Sequence, residues 1–464
     1  MPDAPVLQFR GGLAGALLPF ALFLAGVTWL ALSGAPDERG FWPVLLAALT
    51  LGLVLARDRT RWCEVALEGM GRPIVMVMIL AWMLSGVLGA LLAAAGFVGS
   101  LAWLAGAAHL TGPAFAAAAF VACALVATST GTSFGTLLLA GPLLYPAGGA
   151  VGASPAVLIG AILGGATFGD SISPLSDTTI ASAGTQGADV GGVVRARLKY
   201  VLPAGLAAVA ALVALDLAEQ AAAPTGAAAL ALSPRGLPLL AVPVLVFVLL
   251  LRRRHLLESL LFGILATTIL SLALGLLAPR QLVFLDAANF TAKGLIIDGM
   301  SRGLGATVFT ILLIGLVATL QATGALDRLV RFATRPGTTQ RGTEVWIVGA
   351  VSAAVLLTTH SIVSMLAVGE LAKVSGEAAG LSAYRRANLL DMTVCTWPFL
   401  LPYCLPTILA AGTSVSGAPY GLPRVTPLAA GMHNTYAWAL LAMVVLAVAT
   451  GYGRGEGAKA APER

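Results

Sequence analysis

A cluster of hydroxyl and carboxyl side chains, GDSISPLSDTT at residues 169–179, lies inside a segment that is otherwise apolar. Pro174 lacks an amide hydrogen and displaces the carbonyl group four residues earlier, which belongs to Asp170, so a helix break is predicted there. Asp170 then lies at the C-terminal end of a half-helix, where free carbonyl groups attract a cation. Asp177 takes the N-cap position of the next half-helix, where the helix dipole keeps a carboxylate ionised.

The chemistry of this cluster is that of an all-oxygen cation site. Carboxylates, hydroxyls and loose carbonyls suit a hard ion such as Na⁺, and the cluster holds no histidine or cysteine for a transition metal. A buried carboxylate can hold either a proton or a metal cation, so competition at Asp170 would couple Na⁺ to H⁺. Both are expected as transported or coupling ions, and no cofactor is expected. The predicted Na⁺ ligands are Asp170, Ser173 and Asp177.

The composition of the 464-residue chain is that of a polytopic membrane protein, with 58% hydrophobic and 10% charged residues and a mean hydropathy of +0.92. Apolar stretches recur along the whole length, and each can cross a hydrocarbon core of ~30 Å as a helix. Basic residues lie in short runs between these stretches, as the positive-inside rule requires. The lipid bilayer is therefore the expected partner, and no basic domain is left to bind nucleic acid.

Polar residues inside apolar segments mark further candidate sites, because non-helical backbone at bilayer depth must be buried in protein or line a wet cavity. Four such breaks are visible, at residues 128–133, 169–179, 358–361 and 391–402. The last two breaks supply the binding candidates Thr358, Thr359, His360, Asp391 and Thr393.

Two sequence matches at one interval indicate an internal repeat. The pair GM at 69–70 aligns with GM at 299–300, and the same interval pairs TST at 128–130 with TTH at 358–360. Duplicated units in transporters are usually inverted relative to each other in the membrane.

The predicted fold is an all-α polytopic membrane protein, an inverted-repeat transporter with about ten transmembrane helices, two re-entrant hairpins and broken helices at midplane. With the N- and C-termini in the cytoplasm, 21 of the 27 lysine and arginine residues fall inside. The predicted parts are N-terminal helices 1–60, a first repeat 61–222 with hairpin 114–142 and broken helix 155–184, connecting helices 223–290, a second repeat 291–452 with hairpin 344–372 and broken helix 386–411, and a cytoplasmic tail 453–464.

Two motifs also resemble a known family. TGTSFGT at 130–136 and GDSISPLSDTT at 169–179 are similar to the signature of NhaC-type sodium/proton antiporters, within the ion-transporter superfamily of inverted repeats with two re-entrant hairpins. The second half departs from the family's Pro-Trp-Asn stretch, since it offers Trp397-Pro398 without the asparagine. The resemblance implies a role near the ion or substrate for Thr130, Gly131, Thr132, Ser133, Asp170, Ser173, Pro174, Ser176, Asp177, Thr178 and Thr179.

The sequence favours a secondary active transporter, a sodium/proton antiporter that works by alternating access in a bacterial-type plasma (inner) membrane. The alternative is a sodium- or proton-coupled exchanger of a small organic anion or amino acid. A helix is predicted over 199–222, and no arginine is expected at membrane depth to clamp a carboxylate, which favours inorganic ions.

An intramembrane protease is the remoter alternative. The GTSFG stretch around Ser133 fits the G-x-S-x-G pattern, and Asp170 with Asp391 offers the pair of an aspartyl enzyme. Neither pattern explains the duplicated hairpins, so no enzyme activity is expected. The sequence leaves open whether an organic solute is carried and whether the protein forms a homodimer.

Overall fold

The computed structural model describes residues 7–32, 38–220, 233–252, 254–287, 289–324, 339–358 and 361–454. Helices make up nearly all of this part, and eight of them are long and apolar enough to cross a membrane, judged by length and composition. Four shorter apolar helices accompany these eight. The predicted all-α polytopic membrane architecture is therefore confirmed, while the number of ten crossings stays a prediction.

The described helices divide at the stretch that follows residue 220. The first group contains α1 Gly12–Leu32, α2 Trp42–Leu55, α3 Arg59–Met70, α4 Pro73–Ala94, α5 Phe97–Ala107, α6 Gly112–Thr130, α7 Ser133–Ala150, α8 Pro155–Ile172, α9 Asp177–Gln186 and α10 Val190–Gln220. The second group contains α11 Ala241–Leu251, α12 Leu256–Ala273, α13 Pro279–Leu282, α14 Leu295–Arg302, α15 Leu304–Gln321, α16 Gln340–Thr358, α17 Ser361–Ala378, α18 Ala383–Val394, α19 Leu405–Thr413, α20 Pro427–Met432 and α21 Thr435–Thr450. A short antiparallel hairpin, β1 Phe284–Asp286 with β2 Thr291–Lys293, precedes α14.

Helix starts recur along the chain at a constant interval. α6 begins at Gly112 and α16 at Gln340, and the same interval separates the starts of α7 and α17, of α8 and α18, and of α9 and α19. The starts of α4 and α15 are separated by nearly the same interval. Thr130 ends α6 and Thr358 ends α16, so these two residues correspond. The predicted pairing of Thr128 with Thr358 is therefore displaced by two residues.

The two halves pack against each other through matching contacts. α7 lies against α19, where a Cβ added at Gly141 would come within 2.7 Å of Thr413. α17 lies against α9, where a Cβ added at Gly369 would come within 2.8 Å of Thr185. Gly141 and Gly369 are separated by the same interval as Thr185 and Thr413. The helix starts recur at this interval too, so the two contacts are equivalent. α3 with α15 and α14 with α4 form a second such pair of contacts.

The predicted helix break in the first half is present. α8 ends at Ile172, and α9 begins at Asp177. Ser173 N donates to the carbonyl oxygen of Asp170 (3.2 Å), which closes the last turn before Pro174. Ser176 is the N-cap residue of α9, so the predicted cap at Asp177 is wrong by one residue. Asp177 still lies in the first turn, at the positive end of the helix dipole.

A glycine brings the turn between α6 and α7 onto this break. Gly131 has a left-handed conformation, with φ of +69°. A Cβ at this position would lie 2.5 Å from the carbonyl oxygen of Leu175, inside the break, so only glycine permits this approach. The tip of the first helix pair is therefore fixed against the gap between α8 and α9.

Several helix boundaries differ from the prediction. α10 begins at Val190, well before the predicted start at 199, because the helical pattern continues through the basic residues. In the second half, α18 ends at Val394 and α19 begins at Leu405, with a single 3₁₀ turn at Trp397–Phe399 between them. This second break is longer than the first.

Candidate functional site

A pocket lies where the turn between α6 and α7 and the start of α17 meet both helix breaks. Its polar lining comes from Thr132, Ser133, Asp170, Ser176, Asp177, Thr178, Ser361 and Cys395. Its remaining lining residues are Gly131, Phe134, Ile362, Pro398, Phe399, Leu405 and Pro406. Seven of the residues predicted to lie near the ion or substrate therefore meet at one place. Thr359 and His360 lie outside the described residues.

Asp170 is the buried carboxylate of this pocket, with 7% of its surface exposed. Ser133 Oγ donates to its Oδ2 atom at 3.1 Å. Its Oδ1 atom is buried and has no hydrogen-bond partner in the part of the chain that the structure describes. Burial of a carboxylate oxygen without a partner costs free energy in a low-dielectric interior. This atom is therefore expected to bind a proton or a cation.

Hydroxyl groups continue from Asp170 across the pocket to the second half. Ser176 Oγ and Thr178 Oγ1 are hydrogen-bonded at 3.0 Å, and Thr178 Oγ1 lies 4.0 Å from Cys395 Sγ. Thr132 accepts a hydrogen bond from the Gly135 amide at 3.2 Å and caps α7. Asp177 is exposed. These hydroxyl oxygens line the same pocket as the Asp170 carboxylate, and such a set of oxygen ligands suits a hard cation such as Na⁺.

Several predicted residues are absent from the lining of this pocket. Thr130 donates its hydroxyl to a carbonyl of its own helix, and Ser173 donates to a backbone carbonyl of α6 at 2.7 Å. Thr358 is hydrogen-bonded to another hydroxyl, and Thr393 donates within its own helix. Pro174 is exposed.

Asp391 in α18 is also outside the pocket lining, and it is fully buried and paired with an arginine. Arg197, which is 1% exposed, forms an ion pair through Nη2 with Asp391 Oδ2. Ser182 Oγ donates to the same carboxylate oxygen at 3.2 Å, and Cys395 Sγ donates to Oδ1 at 3.5 Å. Asp391, unlike Asp170, therefore has a partner for each of its oxygens.

The other donors of Arg197 bind both sides of the first break. Nη1 donates to the carbonyl oxygen of Ser171, at the end of α8, and to Thr179 Oγ1 in α9, both at 2.9 Å. Nε donates to Asn388 Oδ1 at 3.0 Å. Thr179, predicted at the ion site, is thus engaged by the guanidinium group.

No arginine was expected at membrane depth to clamp a carboxylate, yet Arg197 is buried and paired with the Asp391 carboxylate. The helix predicted over 199–222 begins after Arg197, whereas α10 begins at Val190 and carries Arg197 into the core. A signal was present in the sequence, because Arg197 continues the helical stripe of buried residues at Val193, Tyr200, Val201 and Ala204. Cys395 contacts Asp391, Asn388 contacts Arg197, and neither was among the predicted site residues.

A hydrogen bond outside the apolar helices joins the start of α10, which carries Arg197, to the start of α18, which carries Asp391. Tyr384 Oη, in the first turn of α18, donates to Asp189 Oδ2, and the Gly192 amide donates to Asp189 Oδ1 at 2.6 Å. These bonds stabilise the ionised carboxyl, with the Tyr384 bond the larger contribution, and lower the pKa of Asp189. The N-termini of α10 and α18 are thereby held together.

The fold and the pocket define an α-helical polytopic membrane protein with a carboxylate-containing pocket between two broken helices, an architecture typical of secondary transporters. Residues 44–217 match the family model of the Na⁺/H⁺ antiporter family. This stretch contains the first break and the whole of the Asp170 cluster. The predicted resemblance is confirmed.

Two curated relatives match parts of the chain. The malate-2H⁺/Na⁺-lactate antiporter of Bacillus subtilis is 40% identical over 90 residues, which are 19% of this chain and 19% of the relative. The Na⁺/H⁺ antiporter NhaC of Alkalihalophilus pseudofirmus is 35% identical over 130 residues, 28% of this chain and 26% of the relative. The chain thus spans about a fifth to a quarter of the length of the curated relatives it matches.

Proposed function

We propose that the protein is a secondary active transporter that exchanges Na⁺ for H⁺ across a plasma membrane, and that the two ions compete for Asp170. The observation that carries this proposal is the buried Oδ1 atom of Asp170, which belongs to a pocket of hydroxyl groups and has no partner of its own among the described residues. The match of residues 44–217 to the Na⁺/H⁺ antiporter family model supports it.

In the proposed mechanism Asp170 holds Na⁺ in one state and H⁺ in the other. Ser133, Ser176 and Thr178 replace part of the water around Na⁺ without adding charge. Asp177 at the exposed start of α9 attracts the cation toward the pocket. Binding of a proton to Asp170 removes the charge that holds Na⁺, so the two ions exclude each other.

Alternating access requires two arrangements of the halves around a fixed site. The constant interval between helix starts and the matching contacts of Gly141 and Gly369 support an internal repeat with two-fold symmetry. We propose that the pairs α6–α7 and α16–α17 are the re-entrant hairpins, that the halves are inverted, and that the N- and C-termini lie in the cytoplasm.

Exchange of an organic anion is the second candidate, because one relative is named a malate-2H⁺/Na⁺-lactate antiporter. A cationic side chain is a strong binder of a carboxylate substrate, and Arg197 is already engaged by Asp391 and three further oxygens. The lining residues that the structure describes at the pocket include no lysine or arginine. This composition favours inorganic cations.

Proteolysis is disfavoured by the same contacts. An aspartyl protease needs two carboxyl groups that share a proton, whereas Asp391 is bound to Arg197. Ser133 donates its hydrogen bond to a carboxylate, Asp170, rather than to an imidazole acting as a base.

Proteoliposomes with an internal pH indicator distinguish these functions. Addition of NaCl alone to vesicles containing the purified protein is expected to drive protons out of the lumen and raise the internal pH, and choline chloride is expected to have no effect. Proton movement that begins only when malate, lactate or an amino acid is added would favour the organic exchanger.

A further inference from the structure

The guanidinium group of Arg197 lies among oxygens of the kinds that bind a hard cation. Its partners are the Asp391 carboxylate, the carbonyl of Ser171 at the C-terminal end of α8, the hydroxyl of Thr179 and the amide oxygen of Asn388. Carboxylate, carbonyl and hydroxyl oxygens at a helix C-terminus are favourable for a positive charge. Arg197 therefore fills a cation position between the two half-helices and Asp391.

Among the described buried residues around the first break, one carboxylate has no positive charge that balances it. Asp170 and Asp391 are both buried, and Arg197 neutralises Asp391. Asp170 has no ion-pair partner among the described residues. Asp177 lines the same pocket but is exposed, so it does not belong to the buried charges. One monovalent cation is enough to balance the buried charge.

We propose that Arg197 is a built-in cation that permanently satisfies Asp391, so that Asp170 alone exchanges its ion and one Na⁺ is traded for one H⁺ without net charge movement. This inference rests on the proposed exchange at Asp170. A guanidinium group keeps its proton at every physiological pH and is covalently attached, so it cannot itself be exchanged. The two carboxylates thus have different tasks: Asp391 holds the arginine, and Asp170 holds the transported ion.

Charge-compensating variants test this assignment. Asp391→Asn leaves Arg197 unpaired close to the break, and its positive charge is expected to lower the Na⁺ affinity by at least about a hundredfold. Adding Arg197→Gln to Asp391→Asn removes that charge and should restore the affinity to within about tenfold of the wild type. Arg195→Gln, which removes an exposed arginine on the same helix, is the matched control and should change nothing.

The stoichiometry supplies the second measurement. Radioactive Na⁺ binding should give one ion per chain for the wild type and for the double variant. K⁺ and valinomycin set the membrane voltage of the vesicles. At each voltage, the same Na⁺ gradient should balance a given pH gradient.

Two Na⁺ ions per chain, or voltage-driven exchange, would overturn the inference. A folded double variant that binds Na⁺ as weakly as Asp391→Asn would also overturn it, since the pair would then act as a ligand rather than as balanced charges. Should Asp391→Asn fail to fold, the double variant and the wild-type stoichiometry decide. Failure of the proposed function would give a different result, because the Asp170→Asn protein would then bind Na⁺ as tightly as the wild type.

Discussion

Equivalent positions in the two halves of the molecule carry different chemistry. Ser133 and Ser361 both begin the second helix of a helix pair, correspond at the interval that relates the helix starts, and both line the pocket. Ser133 donates to the Asp170 carboxylate at 3.1 Å, whereas Ser361 donates to the backbone carbonyl of Val394 at 3.1 Å. One serine thus binds a charged group and the other closes a helix end.

The same contrast extends along the breaks. At the interval that relates Ser133 to Ser361, the polar lining residues Asp170, Ser176, Asp177 and Thr178 correspond to Pro398, Cys404, Leu405 and Pro406. Three of these four partners belong to the apolar lining of the same pocket. The helix starts therefore recur at one interval, whereas these four polar residues of the first break have no polar counterparts among the described lining residues from the second half. An apolar wall limits access of water and strengthens electrostatic interactions at Asp170.

The largest effect is expected from removing the negative charge of Asp170, the buried carboxylate of the pocket. Asp170→Asn preserves the shape of the side chain but cannot exchange a proton for Na⁺, so Na⁺-driven proton movement in proteoliposomes should be lost. Asp177→Asn, at the exposed start of α9, is the matched control and should keep exchange with a modestly lower Na⁺ affinity. Normal proton movement in the Asp170→Asn protein would remove this residue from the site.

The paired serines test the comparison directly. Ser133→Ala removes a hydrogen bond to a carboxylate and should weaken Na⁺ binding about tenfold, as expected for a bond to a charged group. Ser361→Ala removes only a bond to a carbonyl group, and Na⁺ affinity should stay within about twofold of the wild type. Equal losses in the two variants would show that both halves bind the ion.

Substitution of the two matching glycines tests the structural side of the repeat. Gly141→Ala and Gly369→Ala each place a Cβ too close to a threonine of the other half, and each should cost about 1–3 kcal/mol of stability. Gly349→Ala, with nothing within 4 Å of the added Cβ, should cause no loss. The melting temperatures of the three variants in detergent measure these changes in stability. A loss in only one of the first two variants would mean that the contacts are not equivalent.

The smallest effect is expected at the hydrogen bond that joins α10 to α18. Tyr384→Phe removes the main cause of the lowered pKa of Asp189, so the pKa should return toward its ordinary range. A lowered carboxyl pKa stabilises the folded protein above the unfolded-state pKa, and this contribution is lost as the pH falls through the lowered value. The melting temperatures of wild type and variant should therefore differ at neutral pH and converge in acid. A difference that persists unchanged in acid would contradict this origin.

Local features of this chain were predictable, and side-chain directions were not. The break before Asp177 follows from Pro174, whose effect on the backbone is local. Ser173 was predicted to bind Na⁺, yet its hydroxyl is taken by a carbonyl group in α6, a contact between distant segments. Arg197 was missed because its position depends on how α10 packs against α8 and α18. Hydrophobic periodicity shows which face of α10 is buried, but it does not show what an arginine on that face will bind.

The pH dependence of Na⁺ binding tests the central claim most directly. Because one proton and one Na⁺ are proposed to compete for Asp170, Na⁺ affinity of the purified protein should weaken about tenfold for each unit that the pH falls below the pKa of the site, and should level off above it. Titration calorimetry or radioactive Na⁺ binding across pH, on the wild type and on Asp170→Asn, gives both curves. A wild-type affinity that stays constant over several pH units, together with unaltered Na⁺ binding in Asp170→Asn, would contradict the account.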